Sequence, residues 1–181
     1  CYKSCYTYYA KVFHSKNYIL IPALRKFIII NMQIHKELIT KIQKKKAVIA
    51  VIGLGYVGLP LANLISSKGF EVYGIDTDKN KINLLKKSLS YIRHIKQKKL
   101  KQIVNKRFFP VNNFNKLEKV DIIILCLPTP IKINKSPDLS YIKNTLQNIF
   151  PYLKKNQLII LESSTYPGST KQLLNPIIKK K

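Results

Sequence analysis

Residues 47–76, AVIAVIGLGYVGLPLANLISSKGFEVYGID, constrain the fold of this chain more than any other stretch. Ala47 to Ile52 is an unbroken apolar, mostly β-branched run, the composition of a parallel strand buried on both faces. Gly53, Gly55 and Gly58 follow at once, and a helical segment then places Leu61, Leu64 and Ile65 at core spacing before Gly69 stops it. Glu71 to Ile75 is a second apolar strand, closed by Asp76. A strand that runs through a glycine-rich turn into a helix and returns as a strand is a βαβ unit, with a right-handed crossover.

Each glycine has a separate physical task in such a unit. Gly53 permits the tight turn, Gly55 lets the backbone approach a pyrophosphate, and Gly58 lets the helix pack closely on the strand. The helix start offers free N–H groups and a partial positive charge to phosphates. Asp76 stands 23 positions beyond Gly53, near the spacing of about 20 expected of a carboxylate that takes the adenosine ribose hydroxyls. A carboxylate there repels a 2′-phosphate, so the cofactor expected is NAD and not NADP. Asp78 reads as a helix cap. Lys81, one turn further on, is either solvated or close enough to reach the adenosine end.

The alternation continues downstream. The expected elements are a helix over Asp78–Lys87, a helix over Ile92–Lys106 and a short edge strand at Arg107–Val111, where Pro110 forbids a central ladder position. A buried strand follows at Val120–Leu127, a helix at Leu139–Lys154, a further buried strand at Gln157–Ser163 and a last helix at Gly168–Lys179. Strands alternating with helices in this way give an α/β fold, a doubly wound parallel sheet of Rossmann type with strand order 3-2-1-4-5. One domain is expected over 47–181, preceded by an extension over 1–46. Within that extension residues 1–31 lack a sustained period, and the only methionine is Met32, which is read as the native start. The apolar pieces of 1–31 are split by Arg25 and Lys26 and are too short to span a membrane.

Charge enters because it is extreme, with 33 Lys and Arg against 8 Asp and Glu for a net +25. The lysines are scattered, and the Ile and Asn excess that accompanies them matches AT-rich codons. A solvated surface is therefore expected, with no nucleic-acid partner. Three cysteines without a CxxC pair, and His14, His35 and His94 in isolation, argue against a disulfide framework, a metal site or a triad. Cysteine usage of this kind points to a reducing, cytoplasmic setting. Cys126, inside IIILCLP, reads as a small buried hydrophobe.

Two further places fall at strand ends, where open α/β sheets hold ligands. Thr129 sits between Pro128 and Pro130, its hydroxyl placed to meet a cofactor. Ser163, Ser164 and Thr165 follow the next strand, and hydroxyls at such a helix entry serve as caps or in catalysis.

VIGLGYVGLPLA, GFEVYGIDTDKNKI, LCLPTP, PDLSYI and ESSTYPGST, in this order over 47 to about 178, closely resemble the N-terminal domain of the UDP-glucose/GDP-mannose dehydrogenase family. SYIRHI and STYPGST resemble most the branch that oxidises UDP-N-acetylhexosamines for surface polysaccharides. The resemblance implies a cofactor site of Gly53, Gly55, Tyr56, Val57, Gly58, Asp76, Lys81 and Thr129, and a catalytic role for Thr165 in positioning a water and the developing oxyanion. It implies an NAD-dependent oxidoreductase that takes two hydrides in turn from C6 of a UDP-sugar. It further implies that the nucleophilic cysteine, the lysine and asparagine of the oxyanion site, the UDP-sugar domain and the long helix of a homodimer lie beyond residue 181. The chain is thus expected to be a fragment, inactive alone. The alternative is a non-catalytic NAD-binding module.

Overall fold

The computed structural model describes residues 35–93, 95–133 and 135–178, and the residues from Leu38 onward belong to one compact unit. The expectations for residues 1–31, His14 and His94 lie outside the described residues. Five strands, β1 (Val48–Ile52), β2 (Glu71–Ile75), β3 (Phe108–Val111), β4 (Ile122–Leu125) and β5 (Leu158–Leu161), pair in parallel in the order β3-β2-β1-β4-β5. This is the doubly wound, Rossmann-type sheet read from the alternation. The connecting helices are α1 (Gly58–Ser67), α2 (Lys79–Lys86), α3 (Gln97–Ile103), α4 (Ser140–Ile149) and α5 (Ser169–Ile178).

The two-residue period of β1 divides the core. Ile49 and Val51 face one cluster, with Leu59 and Ala62 of α1, Ile82 and Leu85 of α2, and Leu100 of α3. Ala50 and Ile52 face the other, with Ile142, Leu146 and Ile149 of α4 and Leu173 and Leu174 of α5. Helices therefore cover both faces, and a fully apolar β1 is the consequence. The amino ends of β1 and β4 are tied by Asp121, whose carboxylate accepts the Val48 N–H at 2.9 Å and pairs with Lys41 Nζ at 2.6 Å.

Several local expectations are corrected. The buried stripe of α1 is Gly58, Leu59, Ala62 and Ser66; Leu64 is 53% exposed, and Leu61 and Ile65 only flank the core. Small residues four apart let the helix lie close to the sheet, and the large ones are pushed to its sides. The helix expected over Ile92–Lys106 shortens to α3, because Val104 turns extended and bridges to Phe108 while Asn105 takes a left-handed φ of 59°. Beyond α4 the chain tightens into a 3₁₀ turn, Phe150–Tyr152, at Pro151, whose ring and missing N–H do not suit a continuing α-helix. β5 is a sheet edge and not a buried strand: Leu158 is 41% exposed and the other three residues are half-buried.

Among the described residues no helix is long and apolar enough to cross a membrane, and no cluster of three or more His, Cys, Asp or Glu is placed to hold a metal ion.

Candidate functional site

β1 is flanked by β2 on one side and β4 on the other, so successive connections leave in opposite directions and a crevice opens at the carboxyl ends of the strands. A cleft of about 710 Å³ occupies it. Its floor is continuous with the ladder: the Gly53 N–H donates to the Ile75 carbonyl at 2.8 Å, the Cys126 N–H to Ile52 at 2.8 Å and the Glu162 N–H to Leu125 at 2.9 Å.

The glycine turn is shaped by close backbone contact. Gly53 has φ of +90°, and a Cβ there would lie 2.4 Å from the Cys126 carbonyl oxygen. At Gly58 a Cβ would lie 1.8 Å from the Gly53 oxygen and 3.2 Å from the Cys126 Cβ. Gly55 differs, with nothing within 4 Å of the same point, so its open side is free for a ligand. No side chain caps α1, and no acidic residue stands in its first turn. The Leu59 N–H already donates to the Gly55 carbonyl at 3.1 Å and Pro60 has none, so the Gly58 N–H and the helix dipole are what the start of α1 offers an anion. Tyr56 and Val57, in the same turn, line the cleft with side chains 81% and 59% exposed at its mouth.

At the end of β2 the Asp76 carboxylate is held by two peptide groups. Oδ2 accepts the Leu54 N–H at 2.9 Å and Oδ1 the Asp78 N–H at 2.9 Å. Lys81 Nζ stands 3.5 Å from Oδ2, so this lysine turns toward the cleft carboxylate. Asp78 caps α2, accepting from the Asn80 and Lys81 N–H groups. These bonds occupy one lone pair on each Asp76 oxygen and leave the others free to accept hydroxyls.

The far end of the cleft is built from the β4 and β5 ends. The Thr129 hydroxyl donates to the Ser164 carbonyl at 2.8 Å, and Ser163 Oγ accepts the Leu127 N–H at 3.0 Å, so the two loops brace each other. Thr165 lies one residue past the cleft-lining Ser164, half-buried, sharing a 2.5 Å hydrogen bond with Ser169 Oγ at the entry to α5. Gly53, Gly55, Tyr56, Val57, Asp76, Lys81 and Thr129 thus line one cleft, with Gly58 packed beneath the turn.

Burial, assisted by the Glu162 carboxylate, pushes the Cys126 thiol up to about 11. At pH 8 it carries about a hundredfold less thiolate than a free cysteine of pKa about 9. Iodoacetamide labelling followed peptide by peptide in a mass spectrometer is expected to be slow at Cys126 through pH 9 and to rise toward pH 11. A labelling rate at pH 8 equal to that of an exposed model peptide would contradict it. The folded value lies above the unfolded one, so this stabilising contribution is full below about pH 9 and fades as pH rises toward 11.

Some of the lining was not singled out from sequence. Tyr141, Asn144, Thr145 and Asn148 present one face of α4 to the cleft, beside the face of the buried Ile142, Leu146 and Ile149, and Phe114 and Glu162 complete the walls. The available signal was the same helical spacing that marked the apolar face. Glu162 repeats the pattern of Asp76, an acid directly after an apolar strand.

Comparison with known proteins matches this geometry. The model of the NAD binding domain of the UDP-glucose/GDP-mannose dehydrogenase family matches residues 47–181. The UDP-N-acetyl-D-mannosamine dehydrogenase of Methanococcus maripaludis is 36% identical over 137 residues, covering 73% of this chain and 32% of that protein. The UDP-N-acetyl-D-glucosamine 6-dehydrogenase of Pseudomonas aeruginosa is 35% identical over 132 residues, 73% of this chain and 31% of its own length. Among solved structures, the ternary complex of GDP-mannose dehydrogenase from Pseudomonas aeruginosa superposes with a TM-score of 0.68 at 29% identity, covering 73% of this chain and 32% of that one. The chain spans about a third of the length of these relatives.

Proposed function

The chain belongs to the UDP-glucose/GDP-mannose dehydrogenase family as its NAD-binding domain, and we propose that it is the cofactor-holding part of a nucleotide-sugar 6-dehydrogenase. One observation carries the reading: the glycine turn, the uncapped start of α1 and the Asp76 carboxylate meet in a single cleft at the sheet's switch point. In it Gly53, Gly55 and Gly58 shape the pyrophosphate seat, with the Tyr56 and Val57 peptides beside it. Asp76 takes the adenosine ribose, Lys81 balances its charge, and Thr129 stands toward the reacting end. Bound NAD supplies hydride acceptance.

For the whole enzyme we propose a UDP-N-acetylhexosamine as substrate, since the relatives that match include dehydrogenases named for UDP-N-acetyl-D-mannosamine and UDP-N-acetyl-D-glucosamine. Its C6 alcohol would be carried through the aldehyde to the carboxylate in two oxidations. Thr165, at the α5 entry, is assigned to the reacting end as a group that orients water and a developing oxyanion. Its hydroxyl is already held by Ser169 and so has a defined direction. Assembly as a homodimer, which rests on the resemblance to the family, and a cytoplasmic location, with which the free thiol of Cys126 is consistent, complete the reading.

Calorimetric titration of the 181-residue chain with NAD and NADP tests it. NAD is expected to bind at one site per chain, with NADP weaker by about tenfold or more, the effect of an unfavourable charge contact of about 1.4 kcal/mol. A chain that takes up neither, or NADP as tightly as NAD, overturns the assignment.

A further inference from the structure

Tyr91 lies in the loop between α2 and α3, far in sequence from the glycine turn and outside the cleft lining. It is half-buried against the first core cluster, and its hydroxyl donates to the Leu54 carbonyl oxygen at 2.6 Å. From the other side the Leu54 N–H donates to Asp76 Oδ2 at 2.9 Å, and the Leu54 side chain is fully buried. Leu54 is thereby clamped at its side chain, its N–H and its carbonyl.

The carbonyl clamp has a directional consequence. The Leu54–Gly55 peptide is planar and trans, so its N–H points opposite to its C=O. With the carbonyl drawn to Tyr91, the Gly55 N–H is turned away from Tyr91. Gly55 lines the cleft, its N–H makes no hydrogen bond among the described residues, and the space beside it is open.

We infer that Tyr91 is a positioning residue that presets the Gly55 N–H toward the cofactor's pyrophosphate without touching the cofactor. The inference rests on the reading of the cleft as an NAD site. A glycine turn is otherwise free to rotate this peptide, and a clamp from outside removes that freedom before the ligand arrives. The hydroxyl is suited to the task because it remains a donor: burial first, then the carboxylates of Asp76 and Asp78, hold its pKa well above the usual phenol range.

The test compares the full chain with Tyr91→Phe, which keeps the ring and removes the donor. NAD, ADP-ribose and ADP are expected to bind the variant about tenfold more weakly, the effect of losing one ordered hydrogen bond. Adenosine, followed by NMR, is expected to bind unchanged, because it lacks the pyrophosphate. Incorporation of 4-aminophenylalanine in place of Tyr91 keeps ring and donor, and is expected to restore NAD affinity; it also serves if the phenylalanine variant does not fold. Equal NAD affinity in wild type and Tyr91→Phe overturns the inference, as does an equal loss for adenosine and NAD, which marks a general structural role. Failure of the wild-type chain to bind NAD is a separate result, and it overturns the cofactor reading on which the inference stands.

Discussion

Gly58→Ala is expected to displace α1 from the sheet and to abolish NAD binding by this chain. The added Cβ would sit 1.8 Å from the Gly53 carbonyl oxygen and 3.2 Å from the Cys126 Cβ. Neither neighbour is the far end of a flexible side chain: the first is backbone inside the turn, held in place by the Gly53 N–H bond to Ile75. Gly58 is the first residue of α1, so the helix-propensity gain from alanine is at most the interior value of about 1 kcal/mol, and any loss appears against it. Overpacking of this severity costs about 3 kcal/mol, which for a domain of this size lowers the melting temperature by about ten degrees.

The control for this result is Gly55→Ala. There a Cβ meets nothing within 4 Å, so the melting temperature is expected to hold while NAD affinity drops, the methyl group standing where a pyrophosphate would approach. Thermal melts and calorimetry on both variants separate the two glycines. If Gly58→Ala melted like the wild type and still bound NAD, the close contact between α1 and the turn would have no energetic meaning.

This contrast also explains what was legible before the structure. The β1-α1-β2 unit was readable because its glycines answer to hard steric contacts, and steric demands leave a mark at fixed positions. The packing face of α1 was not, because hydrophobic periodicity weighs Leu61, Leu64 and Ile65, whereas the buried face is Leu59 with Gly58, Ala62 and Ser66, whose small size and not their hydrophobicity sets the distance from helix to sheet. The exposure of β5 was missed for a different reason. LIIL reads as buried by composition, and that local reading runs against the expected strand order 3-2-1-4-5, which already sets the fifth strand at an edge. The cleft face of α4 was overlooked because Asn144, Thr145 and Asn148 look like any solvated helix surface until the fold turns them toward the Gly53 loop. Residues with a steric or charge requirement at a fixed spacing, Gly53, Gly58 and Asp76, were therefore recoverable, and those recruited by topology, Phe114 and Asn148, were not.

Asp76→Ala is expected to weaken NAD binding about a hundredfold, the loss of two charge-assisted hydrogen bonds to ribose hydroxyls at about 1.5 kcal/mol each. The same change removes the acceptor for the Leu54 and Asp78 N–H groups and the partner of Lys81. Affinity alone would not tell recognition from bracing, so the informative quantity is the ratio of NADP to NAD binding. Removing the carboxylate takes away repulsion from a 2′-phosphate and leaves Lys81 as an unopposed cation beside it, so NADP is expected to lose far less than NAD and the preference to shrink or reverse. Asp76→Asn separates the contributions further, because its amide oxygen still accepts one N–H while the charge is gone. If charge sets the preference, the asparagine variant keeps much of the melting temperature and loses the discrimination. If both variants weaken NAD and NADP by the same factor, Asp76 acts only as a brace for the glycine turn, and the cofactor preference is set elsewhere in the cleft.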